Sequence, residues 1–228
     1  MINILTSFFV SLFFITSTVY AAKYKVVNVS KGGSISGFVI LKGVLPKPER
    51  FAIAKNPEVC GTKDRMIEWV EVGSKGGLQN MFVYLHKAKT GKDWSNEEKK
   101  RSSLIDQKDC KFDPWLKALP KGSKLTWRNS DPVLHNIHLR ELAGVKPDGN
   151  YRPFKKTLHN EGQPPGQGYI STEIKTRIKG DFLQINCEAH NFMFTWIFAA
   201  DNPYYAQTYM DGSYSIENIP PGKYQLRV

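Results

Sequence analysis

The run Cys187-Glu188-Ala189-His190-Asn191-Phe192-Met193 offers a thiolate, an imidazole and a thioether within one short turn, and His135-Asn136-Ile137-His138 upstream offers two more imidazoles. One thiolate, two imidazoles and a weak axial thioether make the trigonal donor set of a one-electron copper centre. Soft sulfur holds Cu(I), and the two nitrogens keep Cu(II) accessible. Such a set suits a metal that changes oxidation state without changing ligands.

Those donors need strands to aim them. If 181–187 is extended, one face carries Leu183, Ile185 and Cys187, and the other carries Phe182, Gln184 and Asn186. The thiol then ends the aliphatic face. In 133–139 the same alternation puts His135 beside Val133, Ile137 and Leu139, and turns His138 the other way. His135, Cys187, His190 and Met193 are therefore the expected metal ligands. Cys187 supplies the dominant bond, His135 and His190 the nitrogens, and Met193 the axial sulfur. A tetrahedral zinc site from His135, His138, Cys187 and His190 is the alternative, disfavoured by the direction of His138. His190 is the expected route for electrons, with Phe192 beside it as an apolar docking surface. Trp196 in the following strand would help keep water away, which matters because solvent access tunes potential.

The supporting elements read as short strands punctuated by Gly, Pro, Asn and Asp. Strands are expected over 34–41, 66–72, 79–86, 124–129, 133–139, 169–174, 181–187 and 194–199. A closing hairpin of 204–210 and 214–217 turns through Asp211-Gly212, and 224–228 follows Pro220-Pro221-Gly222. Ser95-Asn96-Glu97-Glu98 is a capping box opening a short helix within 94–103. A turn is expected around 114–118, and the Gly- and Pro-rich stretch 143–168 reads as a long loop. Many short strands with frequent turns predict an all-β chain built on β-sandwiches.

His135-Asn136-Ile137-His138-Leu139 with Cys187-x-x-His190-x-x-Met193, approached through Gly122 and Asn129-Ser130-Asp131, resembles the small cupredoxins with a short ligand loop. The resemblance covers roughly 104–200 and implies a Greek-key sandwich holding one type 1 copper ion. It also implies that Asn136, after the first ligand, braces the ligand loop. The flanks, Ile35-Ser36-Gly37-Phe38-Val39-Ile40 and Asp211-Gly212-Ser213-Tyr214-Ser215-Ile216 with Pro220-Pro221-Gly222-Lys223-Tyr224, resemble carboxypeptidase regulatory-like (transthyretin-like) sandwiches. They imply a second small β-sandwich from 32–90 plus 204–228. The whole is similar to exported bacterial proteins that combine the two.

Residues 1–21 read as an export signal: an apolar run too short to span a bilayer, ending in Val19-Tyr20-Ala21. A retained anchor is the alternative, since no Lys or Arg precedes the run. The expected location is periplasmic or otherwise exported, with no membrane span after signal removal. Of three cysteines, Cys60 and Cys110 remain if Cys187 is a ligand. In an oxidising compartment they would pair as a disulfide; two buried thiols are the alternative. The net charge of +11 favours an acidic redox partner such as a cytochrome or dehydrogenase, or anionic headgroups. A solvated lysine-rich surface explains it equally, and nothing points to nucleic acid. His86 reads as a surface residue, His159 as a loop residue away from the metal, and Glu188 as solvated. No HExxH, CxxC, GxSxG or phosphate-binding loop occurs, so no catalysis is expected. The sequence predicts an electron carrier, with a copper-delivery protein as the alternative.

Overall fold

The computed structural model describes residues 24–145, 151–166, 170–173 and 180–228. The expected signal 1–21 lies outside them. The chain is all-β, and among the described residues no helix is long and apolar enough to cross a membrane.

Two sheets form the larger sandwich. One runs in the order Tyr151–Gln163, His135–Val145, Phe182–Asn186, Phe194–Ala200, Leu116–Pro120. The other runs Ile170–Glu173, Lys124–Asn129, Ser102–Lys108, Lys111–Asp113. Alternation does the packing: Leu125, Trp127 and Ile105 from the second sheet meet Ile137, Leu139, Leu183, Ile185 and Ile197 from the first in one buried core. The side chains of 126 and 128, one step out of phase, are only half-buried.

A smaller body gathers strands from either side of the larger sandwich in sequence. Tyr205–Gln207, Phe82–Leu85 and Leu226–Arg227 form one sheet, and Ser213–Ile219 pairs with Gly33–Phe38. Val83, Leu85, Tyr204, Ile216 and Ile219 are its core. The strand Phe82–Leu85 is buried at every position. Its other two residues, Phe82 and Tyr84, join Phe198 and Ala200 of the larger sandwich. An unbroken apolar run marks a strand covered on both faces, and here each face belongs to a different core.

Three expectations need correction. Most of the described part of 143–168 is strand, not loop: Tyr151–Gln163 pairs antiparallel with His135–Val145, with register shifts after Leu139, Arg140 and Leu142. Bulges absorb the irregularity that glycine and proline suggested. The turn at 114–118 is instead the strand Leu116–Pro120, parallel to Phe194–Ala200. The segments around Asp211-Gly212 turn as expected, with Gly212 N donating to Tyr209 O, but their strands pair elsewhere, with Phe82–Leu85 and Gly33–Phe38. The capping box is formed by Ser95 and Glu98, on a helix of only Asn96–Lys99. The strand Ser102–Lys108 follows it and had no expectation.

Within the expected 32–90 module, the stretch around Glu49–Phe51, Pro57–Cys60 and Arg65–Ile67 packs on the larger sandwich. Phe51, Ile53, Val59 and Cys60 join the core that also holds Cys187 and Met193. The Cys60–Cys110 disulfide ties it there.

Candidate metal centre

His135 opens its strand, and Cys187 directly follows Phe182–Asn186, the neighbour in the sheet. From Cys187 the chain closes on itself: Cys187 N donates to Met193 O at 3.0 Å, Met193 N to His190 O at 3.0 Å, and His190 N to Cys187 O at 3.3 Å. This tight turn returns His190 to the end of the sandwich. His135 Nδ1 and His190 Nδ1 lie 3.1 Å apart, and Cys187 Sγ lies 3.9 and 3.6 Å from them. All three residues are at most 2% exposed.

The outer nitrogens decide what the inner ones offer. His135 Nε2 lies 2.7 Å from Asp131 Oδ2, and His190 Nε2 lies 3.1 Å from Asn56 Oδ1. The amide of Asn56 is oriented by its Nδ2, which donates to Glu58 Oε1 at 3.3 Å. Facing two acceptors, both Nε2 atoms carry hydrogen, so both Nδ1 atoms carry lone pairs. Two lone pairs then face each other beside a sulfur at one buried point, and the single thiol hydrogen can serve only one of them, which leaves the pair in repulsion. A cation resolves that repulsion. An ion held about 2 Å from nitrogen and about 2.3 Å from thiolate needs donors about three to four ångströms apart, as found.

Protonation follows burial. Burial, then the neighbouring His135 and Lys55, holds His190 down at about 4. Burial lowers His135 as well, opposed by its bond to Asp131. Burial pushes the Cys187 thiol up against backbone N–H donors from Asn136, Ala189 and His190. Both imidazoles are thus ready as ligands, whereas the thiol must lose its proton to a metal.

Around this point the loop is braced. Asn136 Oδ1 accepts from Glu188 N at 2.7 Å, pinning the residue after Cys187 to the residue after His135. Met193 is buried in the same core as Cys187. His138 turns away, its Nδ1 bonded to Glu188 and its Nε2 2.6 Å from Thr157 Oγ1. The tetrahedral alternative with His138 is therefore not assembled. Glu188 is half-exposed, as a solvated group would be, but it pairs with both His138 and Arg140.

Other residues depart from expectation. Phe192 is buried, with the Arg65 guanidinium 4.8 Å above its ring, so it is no docking surface. His86 is not at the surface: its side chain is 9% exposed and lies 3.6 Å from Asp181. His159 sits in a strand, stacked on Trp127, away from the centre.

Asp131, Asn56 and Arg65 had no expected role. Asp131 also accepts the backbone N–H groups of Asp109 and Cys110 at 2.8 Å each, so one carboxylate serves a ligand and the disulfide. A buried acid in the Asn129-Ser130-Asp131 turn, four residues before His135, was a readable signal. Asn56 stands before Pro57 at a helix start, where its side chain would ordinarily cap the helix. It makes no such cap, and no local pattern reveals its use on His190.

No family model matches the chain, and no curated protein matches it. Among solved structures it is similar to amicyanin from Paracoccus versutus, at 14% identity over 43% of this chain and 81% of that one, with a TM-score of 0.31. A purple cupredoxin from Nitrosopumilus maritimus is similar at 17% identity over 43% and 99%, with a TM-score of 0.32. A copper-containing nitrite reductase from Thermus scotoductus is similar at 14% identity over 43% and 22%, with a TM-score of 0.31.

Proposed function

We propose that this chain is an exported type 1 copper protein that carries single electrons between redox partners and catalyses no reaction itself. The observation that carries the reading is the convergence of His135 Nδ1, His190 Nδ1 and Cys187 Sγ, with both outer nitrogens committed elsewhere. Copper bound there would supply a Cu(I)/Cu(II) couple. Cys187, as the thiolate, and the two imidazoles, each held in one tautomer, would hold the ion, and Met193, buried in the same core, would offer a weak thioether. Burial keeps water out, and the braces on each ligand resist rearrangement when the charge changes. Export is supported by the 1–21 run and by the disulfide, which belongs to oxidising compartments. The smaller body, built from Gly33–Phe38, Phe82–Leu85 and the strands within 204–228, is taken as a transthyretin-like structural module.

The deciding experiment is the visible absorption and EPR spectrum of the protein after Cu(II) addition. An intense blue thiolate band with narrow copper hyperfine splitting is expected. A colourless protein that takes only Zn(II) or Cu(I) would sink the electron-carrier reading. Met193→Leu should keep copper and raise the potential; an unchanged potential would remove Met193 from the ligand set.

A further inference from the structure

The face expected to pass electrons is closed. His190 is 1% exposed and its outer nitrogen is taken by Asn56, while Arg65 roofs Phe192. Both covering residues flank Cys60, on the segment that the disulfide anchors to Cys110. A partner approaching His190 meets this segment first.

A second way out starts at Phe194, bonded directly to Met193. Its buried ring stacks on Trp69 at 4.9 Å with an interplanar angle of 15°, and lies 5.0 Å from Trp115. Trp69 and Trp115 are 42% and 36% exposed. Aromatic contact is therefore continuous from the residue after Met193 to the surface. Beside the two indoles opens a cavity of about 400 Å³, also lined by Met81, Leu116 and Trp196. The charged side chains lining it are Glu68 and Glu71. A third carboxylate, Glu49, accepts from Trp69 Nε1 at 2.8 Å. In a chain of net charge +11, this is a local patch of opposite sign, and a cleft of one sign steers the approach of the other.

We propose that electrons enter and leave through Phe194 and Trp69, and that the redox partner docks on the Trp69/Trp115 face with an apolar, positively charged contact surface. This rests on the copper reading above. It reverses, at the point of contact, the acidic partner that net charge alone suggests. An indole face accepts a cation as well as an apolar group, and the carboxylates add charge complementarity.

The test uses the copper-loaded, reduced protein and two one-electron oxidants: the cationic, aromatic tris(phenanthroline)cobalt(III) and the anionic hexacyanoferrate(III). One electron passes to the complex, cobalt(III) becomes cobalt(II), no bond breaks and no proton moves. Trp69→Leu should slow oxidation by the cobalt complex about tenfold or more while the blue band is unchanged. Glu68 is exposed, so Glu68→Lys should leave the fold intact. It should slow the cation and speed the anion, each by about threefold to tenfold at low salt. In the metal-free protein, paramagnetic tris(phenanthroline)chromium(III) should broaden the indole resonances of Trp69 and Trp115. An intact blue band with unchanged rates in both variants, or broadening centred on Asn56 and His190, would overturn the route alone. Copper uptake by the unsubstituted protein without a blue band would overturn the copper reading and the route together.

Discussion

The two imidazoles that face each other across the centre are backed by different regions. His135 leans on Asp131, a charged, buried carboxylate only four residues away that is itself held by two backbone amides. His190 leans on Asn56, a neutral amide from a distant covering segment. Both contacts select the same tautomer, yet only the carboxylate adds charge, and Asp131 raises the basicity that burial takes from His135. His190 has only neutral backing, with Lys55 nearby. The strand side is therefore a rooted arm that both positions and electronically strengthens its ligand. The loop side is a cover that positions and shields.

That contrast can be tested by removing its parts. The largest effect is expected for Cys187→Ser, which leaves both arms in place and should abolish the blue band entirely. Retained colour would show that the arms converge on something other than a thiolate-bound copper.

Asp131→Ala should come next. It strips the acceptor from His135 Nε2 and from the backbone amides of Asp109 and Cys110, the latter buried, at a cost of about 3–5 kcal/mol in unfolding of the metal-free protein. Copper affinity should drop about 10–100-fold in a competition titration.

An acid titration of the metal-free protein should show a comparable effect from the other arm. His190 stays neutral in the fold down to about pH 4, whereas an unfolded histidine takes its proton near 6.5. The unfolded state then binds more protons between these values, so stability falls as pH drops from about 7 to 4, by about 3 kcal/mol at most. Denaturant midpoints that stay flat across that window in the unsubstituted protein would contradict a buried, neutral His190.

Asn56→Ala should do least, with about 1 kcal/mol lost and copper affinity changed by less than about tenfold. If it matched Asp131→Ala, the two arms would be equivalent and the distinction between root and cover would fail.

What could be read in advance divides along the same line. The strands around 124–129, 181–187 and 194–199 were legible because alternation and turn residues are local. The convergence of His135 with Cys187 was legible because both end neighbouring strands on one apolar face. The Leu116–Pro120 strand was hidden: its pairing is with a strand far along the chain, and its own sequence alternates poorly. The His135–Val145 and Tyr151–Gln163 pair was hidden because Gly144, Pro153 and Gly162, of types that usually end strands, here fall within a bulged antiparallel pair. The cover was least legible. Nothing in Asn56-Pro57 or Arg65 announces a contact with a loop more than a hundred residues away; only the assembled fold brings them together.

The strand Phe82–Leu85 sends Val83 and Leu85 into one core and Phe82 and Tyr84 against Phe198 and Ala200 of the other. Its hydrogen-bonded neighbours come from the far end of the chain. The two bodies thus meet through a shared wall. Excising 104–200 as a free-standing carrier would strip that wall and leave Phe182, Phe198 and Ala200 bare to water. The excised piece should be sticky and short-lived, even though every proposed ligand lies within it. Separability, in this molecule, ends where the aromatic seam begins.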